Sequence, residues 1–302
     1  MNFVQRPNID CEKWDSLVAR TSNAGIYNKS FFLDALADNW CIYVDQDYSR
    51  GIAIPFTQKL KYKIVYTPNF LRSVNFLGAI NQSFAIEILN KIKNEFQVGE
   101  LSIENTEFTI EGENRVFQRI DFFDSHNVNT QSKRMLKKFA QSDFSITNQV
   151  NLDKINEFLE TNLFQRLEGL NKTDLLVFRK LMNKLEEHKL LFKYAVYNSK
   201  NELKGCALFM QTDDKLIYIK GVATNDAMKE GAMYALLNYC INLAKENNLV
   251  FDFGGSNIDS VKQFYTNLGG RDVTYYRTKW GKLPVYYQIA KYIYHYFGKI
   301  KL

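Results

Sequence analysis

The sequence predicts a mixed α/β protein built from two copies of one unit, and three observations carry that prediction. First, 302 residues with 46% hydrophobic and 24% charged content are enough for two folded domains. Second, each half of the chain gives two helices, a meander of strands, a further helix and a returning strand. Third, the hairpin pattern at 40–56 has the layout of the one at 193–210, although few residues are shared. A repeated mixed unit, each copy a mostly antiparallel sheet flanked by helices, is the economical reading. The boundary is expected at 122–130, where Ile120 gives way to a polar run, so the expected domains are 1–125 and 126–302.

In the first half, 12–20 and 29–39 read as short helices, and 40–44 and 51–56 as strands joined by a polar turn. Residues 63–66 and 74–77 look extended. Phe84, Ile88, Leu89, Ile92 and Phe96 recur at helical spacing, and 99–104 alternates as a strand does. In the second half, 152–167 and 173–191 are amphipathic, then 192–197, 203–210 and 216–222 read as strands. A helix is expected over 229–247 and a last strand over 272–278.

The bulk numbers exclude several classes. Cys11, Cys41, Cys206 and Cys240 are scattered in apolar surroundings, and His126, His188 and His295 lie far apart. That spacing predicts buried reduced thiols and no metal site. No run approaches the roughly 18 apolar residues of a membrane span, and no signal pattern opens the chain, so a cytoplasmic location is expected. The net charge of +6, from 39 basic and 33 acidic residues, permits an anionic partner such as a phosphorylated cofactor, RNA or an anionic lipid surface. DNA is not an expected partner, and nothing bears on the oligomeric state.

Residues 251–270 are the candidate site. An apolar strand at 249–251 meets Gly254 and Gly255, Ser256 or Asn257 is placed to cap a helix, and Ile258, Val261, Phe264 and Leu268 give that helix one apolar face. A strand that delivers the chain to a glycine pair and a helix start exposes backbone amides, which suits ligand binding, although an ordinary turn has the same pattern. A second feature is the helix 131–140 behind Asn129 and Thr130. Lys133, Arg134, Lys137 and Lys138 form one basic face, which either holds phosphates or is simply solvated.

The element order, with a helix start directly after the strand 216–222, resembles the acetyltransferase superfamily known as GNAT. In that family the helix start receives the pyrophosphate of coenzyme A, which would make Lys229, Gly231, Ala232 and the nearby Val222 the cofactor-binding residues. The match is partial: Lys229 stands where the family has Gly, and Asp226 where it has Arg or Gln. Phe264, Tyr265 and Gly269 are similar to the segment whose Tyr protonates the departing thiolate, which would make Tyr265 a general acid. Its other reading is packing beside Phe264.

Asp252, Phe253, Gly254 and Gly255 also resemble a signature of the FemAB group, double-GNAT enzymes that transfer amino acids from aminoacyl-tRNA to peptidoglycan precursors. Tyr265 stands where that group carries Lys. The resemblance implies a tandem GNAT-like protein whose second domain moves an acyl group to a primary amine of a small molecule or peptide. Acyl-CoA is the slightly favoured donor and aminoacyl-tRNA, with a cell-wall precursor as acceptor, the alternative. Asp252 would be a base or orienting group, or else a turn acceptor. Gly254, Gly255, Ser256, Lys133, Arg134 and Lys137 would contact substrate, and the first domain, without a glycine loop, would support or bind the acceptor. A non-catalytic binding protein on the same fold is the reading from another class. The aromatic and basic stretch 284–301 is expected to form a C-terminal helix, docked on its own domain or lying on a membrane surface.

Overall fold

The computed structural model describes residues 1–21, 24–59, 61–104, 108–121, 128–166, 171–255 and 258–282. The expected C-terminal helix at 284–301 and residues Ser256 and Asn257 lie outside them. Two compact units share the chain. The first holds Met1–Pro68, Ser73–Glu113 and Tyr276–Leu302, and the second holds Asn69–Arg72 and Asn114–Tyr275. The units therefore interleave in sequence, where the sequence reading has a single cut at 125.

In the first unit, β1 (Asn2–Gln5), α1 (Cys11–Arg20) and α2 (Ser30–Leu36) precede β2 (Asn39–Val44), β3 (Gly51–Lys59) and β4 (Tyr62–Val65). Helix α3 (Gln82–Glu95) then leads to β5 (Val98–Ile103). Neighbouring strands from β1 to β4 are antiparallel, while β5 joins β4 in parallel. A parallel pair needs a crossover, and α3 supplies it. Asn81 starts that helix by accepting from the Phe84 amide at 2.9 Å. Residues 74–77 form no strand; Val74 and Leu77 make only isolated bridges to Ile103 and Gly51.

The second unit repeats the order. It contains β6 (Glu113–Ile120), which the boundary cuts after Glu113, then α4 (Thr130–Ala140), β7 (Ser145–Thr147), α5 (Leu152–Asn162) and α6 (Lys172–Glu187). The hairpin β8 (Leu191–Tyr197) and β9 (Leu203–Gln211) leads to β10 (Lys215–Ala223). After α7 (Asn225–Lys229) and α8 (Ala232–Glu246), β11 (Val250–Asp252) returns parallel to β10, followed by α9 (Asp259–Asn267) and β12 (Arg271–Trp280). The predicted correspondence of the hairpins is present as β2–β3 and β8–β9. In both units a strand from elsewhere in the sequence covers the returning strand: Tyr276–Trp280 of β12 lies against β5, and β6 lies against β11.

Strand β6 is not evident in the sequence because its central position is polar. Gln118 is fully buried, and its side-chain amide donates to Asp272 at 2.8 Å. The helix expected over 229–247 is divided, since Gly231 takes φ of 84° between α7 and α8. The other long helices stop short of their expected ends, α5 at Asn162 and α6 at Glu187.

The core of the second unit forms where α8 covers one face of its sheet. Phe209, Leu216, Tyr218, Phe251 and Phe253 meet Leu236, Leu237, Cys240 and Ile241 of α8 there. Helix α5 also packs on β9 and β10, burying Ile155, Asn156 and Leu159. The four cysteines are free; Cys41, Cys206 and Cys240 are buried and Cys11 is half-buried. Among the described residues no helix is long and apolar enough to cross a membrane, and no cluster of His, Cys, Asp and Glu could hold a metal ion.

Phe251 sits in this core with no exposed surface, its ring 4.9 Å from Phe253 and 6.1 Å from Phe209. Phe251→Ala is expected to lower unfolding stability by about 3–5 kcal/mol in urea titrations. A loss under about 0.5 kcal/mol, typical of a surface substitution, would contradict this core.

Candidate active site

The site grows from the point where β10 and β11 part. Their parallel pairing ends at Ile217 opposite Asp252. Immediately afterwards β10 carries a bulge between Tyr218 and Lys220, and β11 stops. Among the described residues, the β11 side of β10 beyond this point has no strand neighbour. A strand edge without a partner offers backbone amides and carbonyls to a ligand.

Two glycines make the parting possible. Gly254 and Gly255 take φ of 74° and 86°, the left-handed region that side chains resist. A Cβ on Gly254 would stand 2.4 Å from the Tyr218 carbonyl oxygen, and one on Gly255 would stand 3.0 Å from Cβ of Phe117. Their role in the structure is thus to turn the chain tightly against β10 and β6.

Asp252 is 1% exposed, and both its oxygens are engaged. Arg72 Nη1 donates to Oδ1 at 2.8 Å and to Oδ2 at 2.7 Å, and the Gly254 amide donates to Oδ1 at 2.8 Å. The Arg72 guanidinium lies over the Phe117 ring, 3.7 Å from its centroid. Residues 69–72 are pinned beside it: Phe70 packs on Phe164 and Phe178, and the Asn69 side chain donates to Asp174 at 2.8 Å. No motif around Arg72 marks it in the sequence, where it lies 180 residues from its partner. Of the two readings of Asp252, this geometry is that of a turn acceptor and ion-pair anchor.

Tyr265 is on the other face of the sheet. Phe251 and Phe253 point to the α8 core, so the intervening Asp252 points away from it. Tyr265 belongs to that core, stacked on Phe253 at 4.7 Å and edge-on to Tyr218 at 6.2 Å. Burial raises the pKa of its phenol, which makes it a poorer proton donor than a free tyrosine. The structure therefore does not bring Tyr265 and Asp252 together as an acid–base pair.

The start of α8 is covered as well. Gly231 and Ala232 are buried, and a Cβ on Gly231 would stand 2.4 Å from the Met135 carbonyl oxygen of α4. Lys138 of α4 closes the end of α7, donating to the Lys229 carbonyl at 2.8 Å and pairing with Glu230 at 3.0 Å. Helix α4 is itself held by Asn129, whose side chain accepts from the Ser132 amide, and by Ser132 Oγ donating to the Asn267 carbonyl at 2.8 Å. Lys133, Arg134 and Lys137 project from it into solvent, and Lys229 is also exposed. Val222 is half-buried on β10 past the bulge, paired with Cys206.

The sequence reading missed Lys220. It is half-buried at the bulge, burial pushes its ammonium pKa down, and no described residue pairs with it. A charged residue inside the otherwise apolar run 216–222 is the signal that marks it.

No family model matches this sequence, and no curated protein does. Solved structures do match. The crystal structure of FemX superposes with a TM-score of 0.65 at 11% identity, covering 96% of this chain and 99% of that one. L-PGS from Bacillus licheniformis gives 0.55 at 14% identity, with 93% and 95% covered. A tandem GNAT protein from the clavulanic acid biosynthesis pathway gives 0.52 at 8% identity, with 94% and 99% covered. The chain has a GNAT-like double-domain fold, as its sequence pattern implies.

Gly254→Ala is expected to destabilise the protein by more than the roughly 1 kcal/mol of a strained φ alone, because the added Cβ meets backbone. Thermal unfolding measures this, and an unchanged midpoint would contradict the tight turn.

Proposed function

We propose that this protein is an N-acyltransferase whose reaction takes place where β10 leaves β11. The observation that carries this reading is the unpartnered edge of β10 beyond Ile217, next to the glycine turn. There an extended acyl donor would add alongside the strand. A primary amine would attack the acyl carbonyl, and backbone amides of β10 would hold the oxyanion that forms. As the tetrahedral species collapses, the amide bond forms, the bond to the carrier breaks, and the proton lost by the amine passes to the departing carrier.

The carrier is a thioester or an aminoacyl ester, and two observations support the ester. The helix start that would receive a coenzyme A pyrophosphate is buried under Met135, and the exposed basic face of α4 stands next to it. Exposed Lys and Arg side chains on one helix face suit the phosphates of an RNA. Tyr265 serves in this reading as a packing residue.

Filter binding of aminoacyl-tRNA beside isothermal titration with acetyl-CoA separates the donors. We expect salt-dependent tRNA retention that weakens when Lys133, Arg134 and Lys137 are all replaced by Ala. Acetyl-CoA binding without tRNA binding would reverse the choice of donor, and binding of neither would favour a non-catalytic protein. In transfer assays on a panel of primary amines, Tyr265→Phe is expected to lose far less than the 10²–10⁴-fold, roughly, that removal of a general acid costs.

A further inference from the structure

Of residues 1–113, the second unit holds only Asn69–Arg72, a four-residue strap. Within it Phe70 takes φ of 69°, the left-handed region that a bulky side chain avoids. Glycine would adopt that conformation freely and asparagine readily, yet the chain places phenylalanine there. The conformation is therefore imposed by what the strap touches.

Three contacts seat it. The Phe70 ring packs 5.1 Å from Phe178 of α6 and 6.4 Å from Phe164, and those two rings lie 5.0 Å apart. Phe178 and Phe164 are buried, whereas Phe70 itself is half-buried. At one end of the strap the Asn69 side chain donates to Asp174, which also accepts from the Asn171 amide at the start of α6. At the other end Arg72 is paired with Asp252 and lies over Phe117. The Asn69 bond is exposed to solvent, so the ring supplies most of the hold at its end. Backbone strain persists only where surrounding contacts enforce it, and such strain collects at segments that switch.

We propose that Asn69–Arg72 is a strap with a closed and an open form, and that Phe70 is its catch. With the ring seated, Arg72 stays on Asp252 and the glycine turn stays tight against β10. With the ring withdrawn, Phe70 relaxes out of the left-handed region and carries Arg72 away from Asp252. A buried carboxylate without its cation is costly, so Asp252 then turns toward water and releases the Gly254 amide. The strap thus gates the strand edge at which acyl transfer is placed above. It goes beyond that reading, and its test does not depend on turnover or on any acyl donor.

Two readouts on the full chain follow the opening. One is reaction of the Arg72 guanidinium with phenylglyoxal, read by peptide mass spectrometry, and the other is hydrogen exchange of the Gly254 amide. Exchange of amides 236–241 in α8 reports global unfolding. In the unaltered protein both readouts are expected to outpace the α8 amides, the signature of a local opening. Phe70→Ala removes the ring but keeps the strain, and is expected to speed both by about tenfold. Phe70→Asn removes the ring but suits the left-handed backbone, so its rates are expected to fall between those of the unaltered protein and Phe70→Ala. Ile241→Val, in the α8 core away from the strap, is expected to leave both readouts unchanged while lowering global stability. Phe70→Asn as closed as the unaltered protein would mean that the ring is not the catch. Equal rates for Phe70→Ala and Phe70→Asn would remove the strain, and Arg72 and Gly254 that open only together with α8 would remove the open form. Any one of these results would overturn the proposal.

Discussion

The buried pair of Arg72 and Asp252 is the constraint on which the rest of the site depends. Asp252 is the last paired residue of β11, and its carboxylate binds both the Arg72 guanidinium and the Gly254 amide. One side chain thus fixes where the strand ends, starts the glycine turn and holds the 69–72 segment against Phe117. Removing Arg72 would leave the Asp252 carboxylate buried without this cation, a far larger penalty than losing a surface ion pair. The conformation of Gly254 and Gly255 and the departure of β11 from β10 follow from this anchor.

Around that anchor the two faces of the sheet divide their work. The α8 face is an aromatic core in which Tyr218, Phe251, Phe253 and Tyr265 pack against one another. The opposite face holds the polar groups: Asp252 with Arg72, and Lys220 on the strand that runs past them. Chemistry placed at the parting of β10 and β11 draws on the second face and on the strand edge between the two. The aromatic face gives that edge a rigid backing.

The fold was legible because it is written in periodicity. The repeated hairpins, the helix before each returning strand and the glycine pair all register as pattern changes along the chain. Strand β6 was hidden because Gln118 occupies a core position, its side-chain amide donating to Asp272 154 residues away. The site was less legible for a similar reason. Sequence proximity links Tyr265 to Asp252, but strand alternation sends them to opposite faces. The partner that defines Asp252 comes from a segment with no motif of its own. Lys229, Gly231 and Ala232 align with a phosphate loop in sequence, yet Met135 of α4 lies against Gly231, and no local pattern announces that packing.

A double-mutant cycle on Arg72 and Asp252, measured by chemical denaturation, tests the central claim most directly. Arg72→Met and Asp252→Asn are each expected to cost about 3–5 kcal/mol, the usual consequence of breaking a buried pair. The double variant is expected to cost less than the sum of the two, with a coupling of about 0.5–3 kcal/mol. Additive losses, or single losses within about 0.5 kcal/mol of zero, would contradict the account and return Asp252 to the role of a free base.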